Sequence, residues 1–174
     1  MSGSLIKIDE EIVSGTPTTV QLLGIDSTYD VYLLQFHNVV ADTDNKDLYY
    51  RFTVSGTADS SSNYDYAAKE LRTDMAFENR SATNQSKIPV NISGLGTGTG
   101  EAGVGSIYAF NFNNASEYSF VTFETNIYDF DPRLMGWQGG GVLTETQITN
   151  GFEFFWESSV NFASGTFTLY GLKK

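Results

Sequence analysis

Between Leu48 and Val54 the chain alternates residue by residue, with Leu48, Tyr50, Phe52 and Val54 on one parity and Tyr49, Arg51 and Thr53 on the other. A period of two is the signature of a pleated strand with one face buried, and no helix can present it. The same kind of segment recurs along the chain, each short and bounded by Gly, Asn, Asp or Ser clusters. Leu5 to Val13 reads as a strand broken near the acidic cluster Asp9 to Glu11, and Ser14 to Pro17 as a turn. Thr18 to Ile25 reads as a strand, Asp26 to Thr28 as a turn, and Tyr29 to Val40 as the densest apolar run, with Asp30 at its start facing solvent. Asn63 to Phe77 fits two periods: Tyr64, Ala67, Ala68, Leu71 and Met75 have helical spacing, whereas Tyr64, Tyr66 and Ala68 alternate. We read it as a strand followed by an irregular loop. Pro89 cannot donate to a ladder, which marks Ser86 to Ser93 as an edge strand or a strand end. Gly94 to Gly105 reads as a flexible loop. Ile107 to Phe112, Tyr118 to Ile127, Leu134 to Leu143, Gly151 to Glu157 and Gly165 to Leu172 complete the set, and Gly136 and Gly139 to Gly141 imply bulging in the third of these. About ten short strands without long helical patterns between them predict an all-β fold, an antiparallel β-sandwich of jelly-roll type formed by residues 1–174 as a single domain.

Side-chain inventory narrows the function classes. Thirteen Phe, ten Tyr and two Trp supply large side chains that suit pleated, half-buried surfaces. A formal net charge of −11 opposes attraction to nucleic acid and to anionic lipid headgroups. No apolar run approaches the length of a membrane helix, so neither nucleic acid nor membrane insertion is expected. Cysteine is absent, which removes disulfides and thiolate chemistry together. The opening MSGSLIKIDEE has no basic region followed by an apolar stretch, so no signal peptide is read there.

No set of residues spells out a reaction. His37 is the only histidine; within an apolar run it reads as a hydrogen-bonded interior residue, since no G-x-S-x-G or related motif supplies a nucleophile. A zinc site is poorer still, since zinc favours several His or Cys ligands and the chain offers one such residue in total. Asp42, Asp44, Asn45 and Asp47 place oxygen ligands as a calcium loop would, but the loop lacks a glycine at its sixth position and a closing Glu, and a solvated hairpin turn is the plainer reading. Glu101, Glu124, Asp129, Asp131, Glu145, Glu153 and Glu157 are scattered, so no glycosidase pair is singled out. The glycine loop lacks the Gly-Lys-Ser/Thr ending of a phosphate cradle. Trp137 and Trp156 are read as core or subunit packing, with a sugar-stacking platform as the other use of such rings. Sequons at Asn79, Asn84, Asn91 and Asn114 follow from the abundance of Asn and Ser, and nothing indicates glycosylation. No catalytic, cofactor-binding or metal-binding residue is therefore assigned, and no enzyme activity is expected.

Three passages carry a resemblance: IDSTYDVYLLQFHNVVADTDNKDLYYRFTVSGT at residues 25–57, NYDYA at 63–67 and SGTFTLYGLKK at 164–174. Tyr29, Tyr32, Phe36, Asn38, Val39, Leu48, Tyr49, Arg51, Phe52, Tyr64, Tyr66, Gly165, Leu169, Tyr170, Gly171 and Leu172 fit its pattern, while residues 73–104 follow it by order alone. In these residues the chain resembles small virion proteins of tailed bacteriophages, cyanophages and other marine phages in particular. The resemblance implies a non-enzymatic structural protein on the outside of a virion, as a capsid decoration or a tail-fibre or receptor-binding subunit. Its partners would be other virion proteins, and a homo-oligomer would form, a trimer by analogy with such exterior proteins. The alternative is a carbohydrate-binding module for host-surface glycan, using Trp137 or Trp156; a depolymerase comes third.

Overall fold

A computed structural model describes residues 4–173. In chain order the strands are β1 (Leu5–Ile12), β2 (Thr19–Leu23), β3 (Val31–Ala41), β4 (Leu48–Val54), β5 (Thr57–Ala58), β6 (Tyr64–Arg72), β7 (Glu78–Gln85), β8 (Ile88–Pro89), β9 (Gly103–Phe110), β10 (Ser119–Tyr128), β11 (Leu134–Leu143), β12 (Gly151–Trp156) and β13 (Phe162–Leu172). The only helical piece among the described residues is a single 3-10 turn, Glu157–Ser159. All pairings are antiparallel. The larger sheet runs β1-β13-β3-β9-β10-β11-β6-β7, and the smaller one β2-β12-β4-β5 with β8 also on β4. The fold is therefore an antiparallel sandwich, as the alternation predicts. Strands β1 to β4 alternate between the sheets, and β12 and β13 return into the slots between them, which is the wrap of a jelly roll. Strands β9, β10 and β11 form a plain meander that carries the larger sheet past the edge of the smaller one.

The predicted alternation decides what lies between the sheets. Leu48, Tyr50 and Phe52 of β4 point inward with Phe152, Phe154 and Trp156 of β12, against Tyr32, Leu34 and Phe36 of β3 and Phe167 and Leu169 of β13, and all are buried. Phe52 is the hub. Its ring centroid lies 4.5 Å from that of Phe112, 5.4 Å from Tyr64 and 5.7 Å from Phe152, within the range where aromatic pairs gain beyond area burial. Where the smaller sheet stops, residues 86–95 cover the inner face of β10, β11 and β6 in its place. Ile88, Val90 and Leu95 are buried there, and Thr125 Oγ1 donates to the Val90 carbonyl at 2.9 Å.

Several expectations need correction. Thirteen strands are formed among the described residues rather than about ten; β8 lies within the edge strand read at Ser86 to Ser93, whereas β7 and the two-residue β5 carry no apolar alternation to announce them. The segment β7, ENRSATNQ, is an edge strand whose inward positions are Glu78, Arg80 and Ala82, so no apolar pattern announces it. Strand β1 is not broken at its acidic residues; it runs through them with one register shift between Lys7 and Asp9. Strand β11 is not bulged: its pairing with β10 is continuous from Ser119↔Leu143 to Tyr128↔Leu134. Its glycines serve close approach instead. A Cβ at Gly139 would lie 2.3 Å from the Ala67 carbonyl oxygen and 2.6 Å from the Ala68 Cα. The reading of residues 63–77 holds, with strand β6 followed by an irregular stretch at 73–77.

Candidate interaction face

The register of the larger sheet assigns its outward side chains to rows. One row runs Val31, Phe110, Phe120, Val142 and Asp65; the next Tyr170, Leu33, Tyr108, Thr122, Gly140, Ala67 and Ser81. The third is polar: Thr168, Gln35, Ser106, Glu124, Gln138, Lys69 and Asn79. Leu33 points away from the core yet is only 5% exposed, flanked by its partners Tyr108 and Tyr170. Phe120 and Tyr108 stand out at 43% and 39%. Beside Phe120 the side chains shrink, and Gly140, Ala67 and Ser81 floor an open trough of about 770 Å³ walled by Phe120, Val142 and Asp65.

Charge is sparse on this side. The outward side chains of β10, β11, β6 and β7 include Asp65 and Glu124 against Lys69, a net of −1, in a chain of −11. Lys69 has no ion pair among the described residues, and Glu124 accepts a hydrogen bond from Gln138 Nε2. An apolar, charge-depleted centre is what protein interfaces have and ordinary surface lacks.

The end of this face at residues 73–77 and 129–134 is braced by ion pairs. Glu70, fully buried, takes Arg80, which also reaches Glu78 at 2.8 Å. Buried Asp129 accepts from Arg133 Nη2 at 2.7 Å, from Arg133 Nε and from the backbone N–H groups of Asp131 and Arg133. Arg133 and Arg72 both hold Asp74, at 3.2 and 2.9 Å. This network fixes a corner that exposes Met75, Phe77, Tyr128, Phe130 and Leu134. The Arg72 hydrogen bond and charge hold the Asp74 carboxyl at about 2, below its ordinary 3.8. A depressed acid contributes stability above its unfolded value and loses that contribution as pH falls through its folded one. The melting temperature of the wild type will therefore drop more steeply than that of Asp74→Asn between pH 3.8 and about 2. Parallel curves for the two proteins would refute this role for the pair.

The outward face of the smaller sheet is covered by its own side chains. Tyr49 and Phe155 stack at 6.0 Å, with Arg51 Cζ 4.4 Å above the Phe155 ring and Lys87 Nζ 3.5 Å from the Tyr49 ring centroid. Gln21 Nε2 donates to Glu153 at 2.7 Å, and Arg51 Nε to the Ser86 carbonyl at 2.8 Å. Burial and the neighbouring Arg51 charge lower the Lys87 ammonium's pKa, and burial with the Asp47 charge lifts the Tyr49 hydroxyl well above its usual range.

The residues singled out in the sequence are dispersed. His37 is not an interior residue: it is exposed on the outward face of β3, because Leu34 and Phe36 take the inward parity. Asn38, at φ 54°, then shifts the register so that Val39 turns inward. Asp42 accepts from Asn161 Nδ2 at 2.7 Å, Asp44 from the Thr97 N–H at 3.1 Å, and Asp47 from the Gly94 N–H at 3.0 Å. The carboxylates thus diverge onto separate backbone and side-chain donors, and no group of three His, Cys, Asp or Glu converges among the described residues. Those bonds also correct the glycine segment. With Lys46 and Leu95 exchanging both backbone hydrogen bonds, residues 94–97 are tied to the DTDNKD turn, and Gly103 to Gly105 belong to β9. Glu101 closes its own turn on the Gly98 N–H at 2.6 Å, Glu145 accepts from Asn63, and Glu157 lies in the 3-10 turn. Trp137 and Trp156 are each 1% exposed, so neither offers a platform for a sugar. Among the outward aromatics beside the trough are Phe120 and Tyr108, which register identifies and the linear sequence does not. Asn91 is buried, whereas Asn79, Asn84 and Asn114 are exposed.

No family model, curated protein or solved structure matches this chain.

Proposed function

We propose that this protein is a non-enzymatic structural module of a virion exterior, a capsid decoration or a tail-fibre or receptor-binding subunit, that works by adhesion between protein surfaces. The observation that carries the adhesive part is the contrast between the two outward faces. The smaller sheet caps its own rings with Arg51 and Lys87, whereas the larger sheet leaves Phe120 and Tyr108 uncovered beside a trough in a region of net charge −1. Contiguous apolar surface left open on a folded domain marks a site of association. The phage setting rests on the resemblance of residues 25–57, 63–67 and 164–174 to virion proteins of marine tailed phages. With Trp137 and Trp156 enclosed, a glycan-binding reading moves to Phe120 and Tyr108 and has no sugar-specific feature behind it.

The test is position on the particle. Antibody against the purified protein, bound to intact virions and viewed by electron microscopy, will decorate capsid or tail at regular sites. Particles that neither label nor contain the chain by mass spectrometry would overturn the virion assignment.

A further inference from the structure

We propose that the outward face formed by β9, β10, β11, β6 and β7 pairs with the same face of a second copy of this chain, about a two-fold axis running along β11. The inference rests on the adhesive reading above and names the partner for it.

A face that meets itself must be self-complementary, each residue meeting a different one and the contact occurring twice. This face has that property about β11, which has β10 on one side and β6 on the other. Turning one copy over along that line lays its β10 on the partner's β6. Two kinds of contact then match. The first is shape. Tyr108 projects from β9 in the same row as Gly140, Ala67 and Ser81, so the rotation sets it over the partner's Ser81 at the floor of the trough, and each copy offers a knob where the other offers a hollow. The trough's roughly 770 Å³ is ample for one tyrosine ring. The second is charge. Glu124 on β10 and Lys69 on β6 lie in one row, with Gln138 of β11 between them. The same rotation brings Lys69 of each copy to Glu124 of the other.

Net charge points to the same face. Two chains of −11 repel, and they can approach closely only where the acid is thin. The area suffices. Five strands spaced about 4.8 Å apart, each rising about 3.3 Å per residue over roughly ten residues, give about 800 Å² per copy, the share a standard interface needs.

The test is a charge swap read by sedimentation. Lys69 and Glu124 are exposed, so neither reversal should disturb folding, which circular dichroism will check. Wild type will sediment as a concentration-dependent dimer. Lys69→Glu and Glu124→Lys will each weaken dimerisation on the order of tenfold or more, and the double variant will recover most of the loss. Ala67→Trp, which fills the hollow, will abolish it. A monomer at every concentration, a closed trimer, or single and double variants that all dimerise alike would overturn the proposal. The virion assignment fails separately: a monomer that decorates particles overturns only the pairing, and a dimer absent from particles overturns only the location. Glycan binding by a monomer, lost in Ala67→Trp, would identify a carbohydrate as the occupant and likewise overturn the pairing.

Discussion

Gly139→Ala will cost more than about 4 kcal/mol and leave little folded protein. The added Cβ would stand 2.3 Å from the Ala67 carbonyl oxygen and 2.6 Å from the Ala68 Cα, and both belong to the backbone of the neighbouring strand. Neither can rotate away as a side chain can. The strands must separate, which breaks the β11–β6 ladder that attaches β6 and β7 to the rest of the sheet. Urea unfolding monitored by far-ultraviolet circular dichroism measures the loss. Gly98→Ala is the control: its new Cβ meets only the end of the Glu101 side chain at 2.9 Å, and the cost should stay within about 1 kcal/mol. Equal midpoints for the two variants would show that β11 tolerates side chains at its centre.

Phe52→Ala will destabilise by about 3–5 kcal/mol, the usual range for removing a buried aromatic ring. Phe52 is fully buried and touches Phe112, Tyr64, Phe152 and Tyr50. The Tyr64 hydroxyl also accepts the Phe52 N–H at 3.1 Å and donates to the Asp59 carbonyl at 3.0 Å, so the cavity would open beside a hydrogen-bonded bridge between the sheets. Phe155→Ala removes the same ring from the half-buried outward face, where it meets Tyr49, Arg51 and Lys87, and should cost about 1 kcal/mol. If the two losses in chemical-denaturation stability come out equal, the core does not centre on Phe52.

What could be read from the sequence follows from where each residue's partner lies. The parity of β4 is local information: Leu48, Tyr50 and Phe52 are each buried because the chain alternates, and the sandwich follows from repeating that argument. Residues 63–77 were legible for the same reason, since alternation through Tyr64, Tyr66 and Ala68 matches strand β6. Strand β7 was not, because an edge strand stabilised through Arg80 and Glu70 needs no apolar rhythm. The glycines of β11 look the same in sequence whether they relieve a bulge or admit a neighbour, and only pairing with Ala67 and Ala68 distinguishes these. The candidate face was hidden for a stronger reason. Phe120 lies on β10, whereas Ala67 and Ser81 belong to the β6–β7 hairpin far back in the chain, and no one-dimensional pattern places them together. The tether between Asp44 and Asp47 and residues 94–97 is of the same kind, a contact across some fifty positions that composition reads as two separate loops.

The position of β12 and β13 constrains how the molecule is made. β12 fills the slot between β2 and β4, and β13 the slot between β1 and β3, so the smaller sheet is not continuous until β12 is inserted, nor the larger until β13 is. A ribosome that has released only the first 150 residues has produced strands β1 to β4 with open edges toward those slots. Closure of the two sheets therefore waits until β12 and β13 have been synthesised, and the waiting strand edges are the nascent chain's exposure to aggregation and its demand on chaperones.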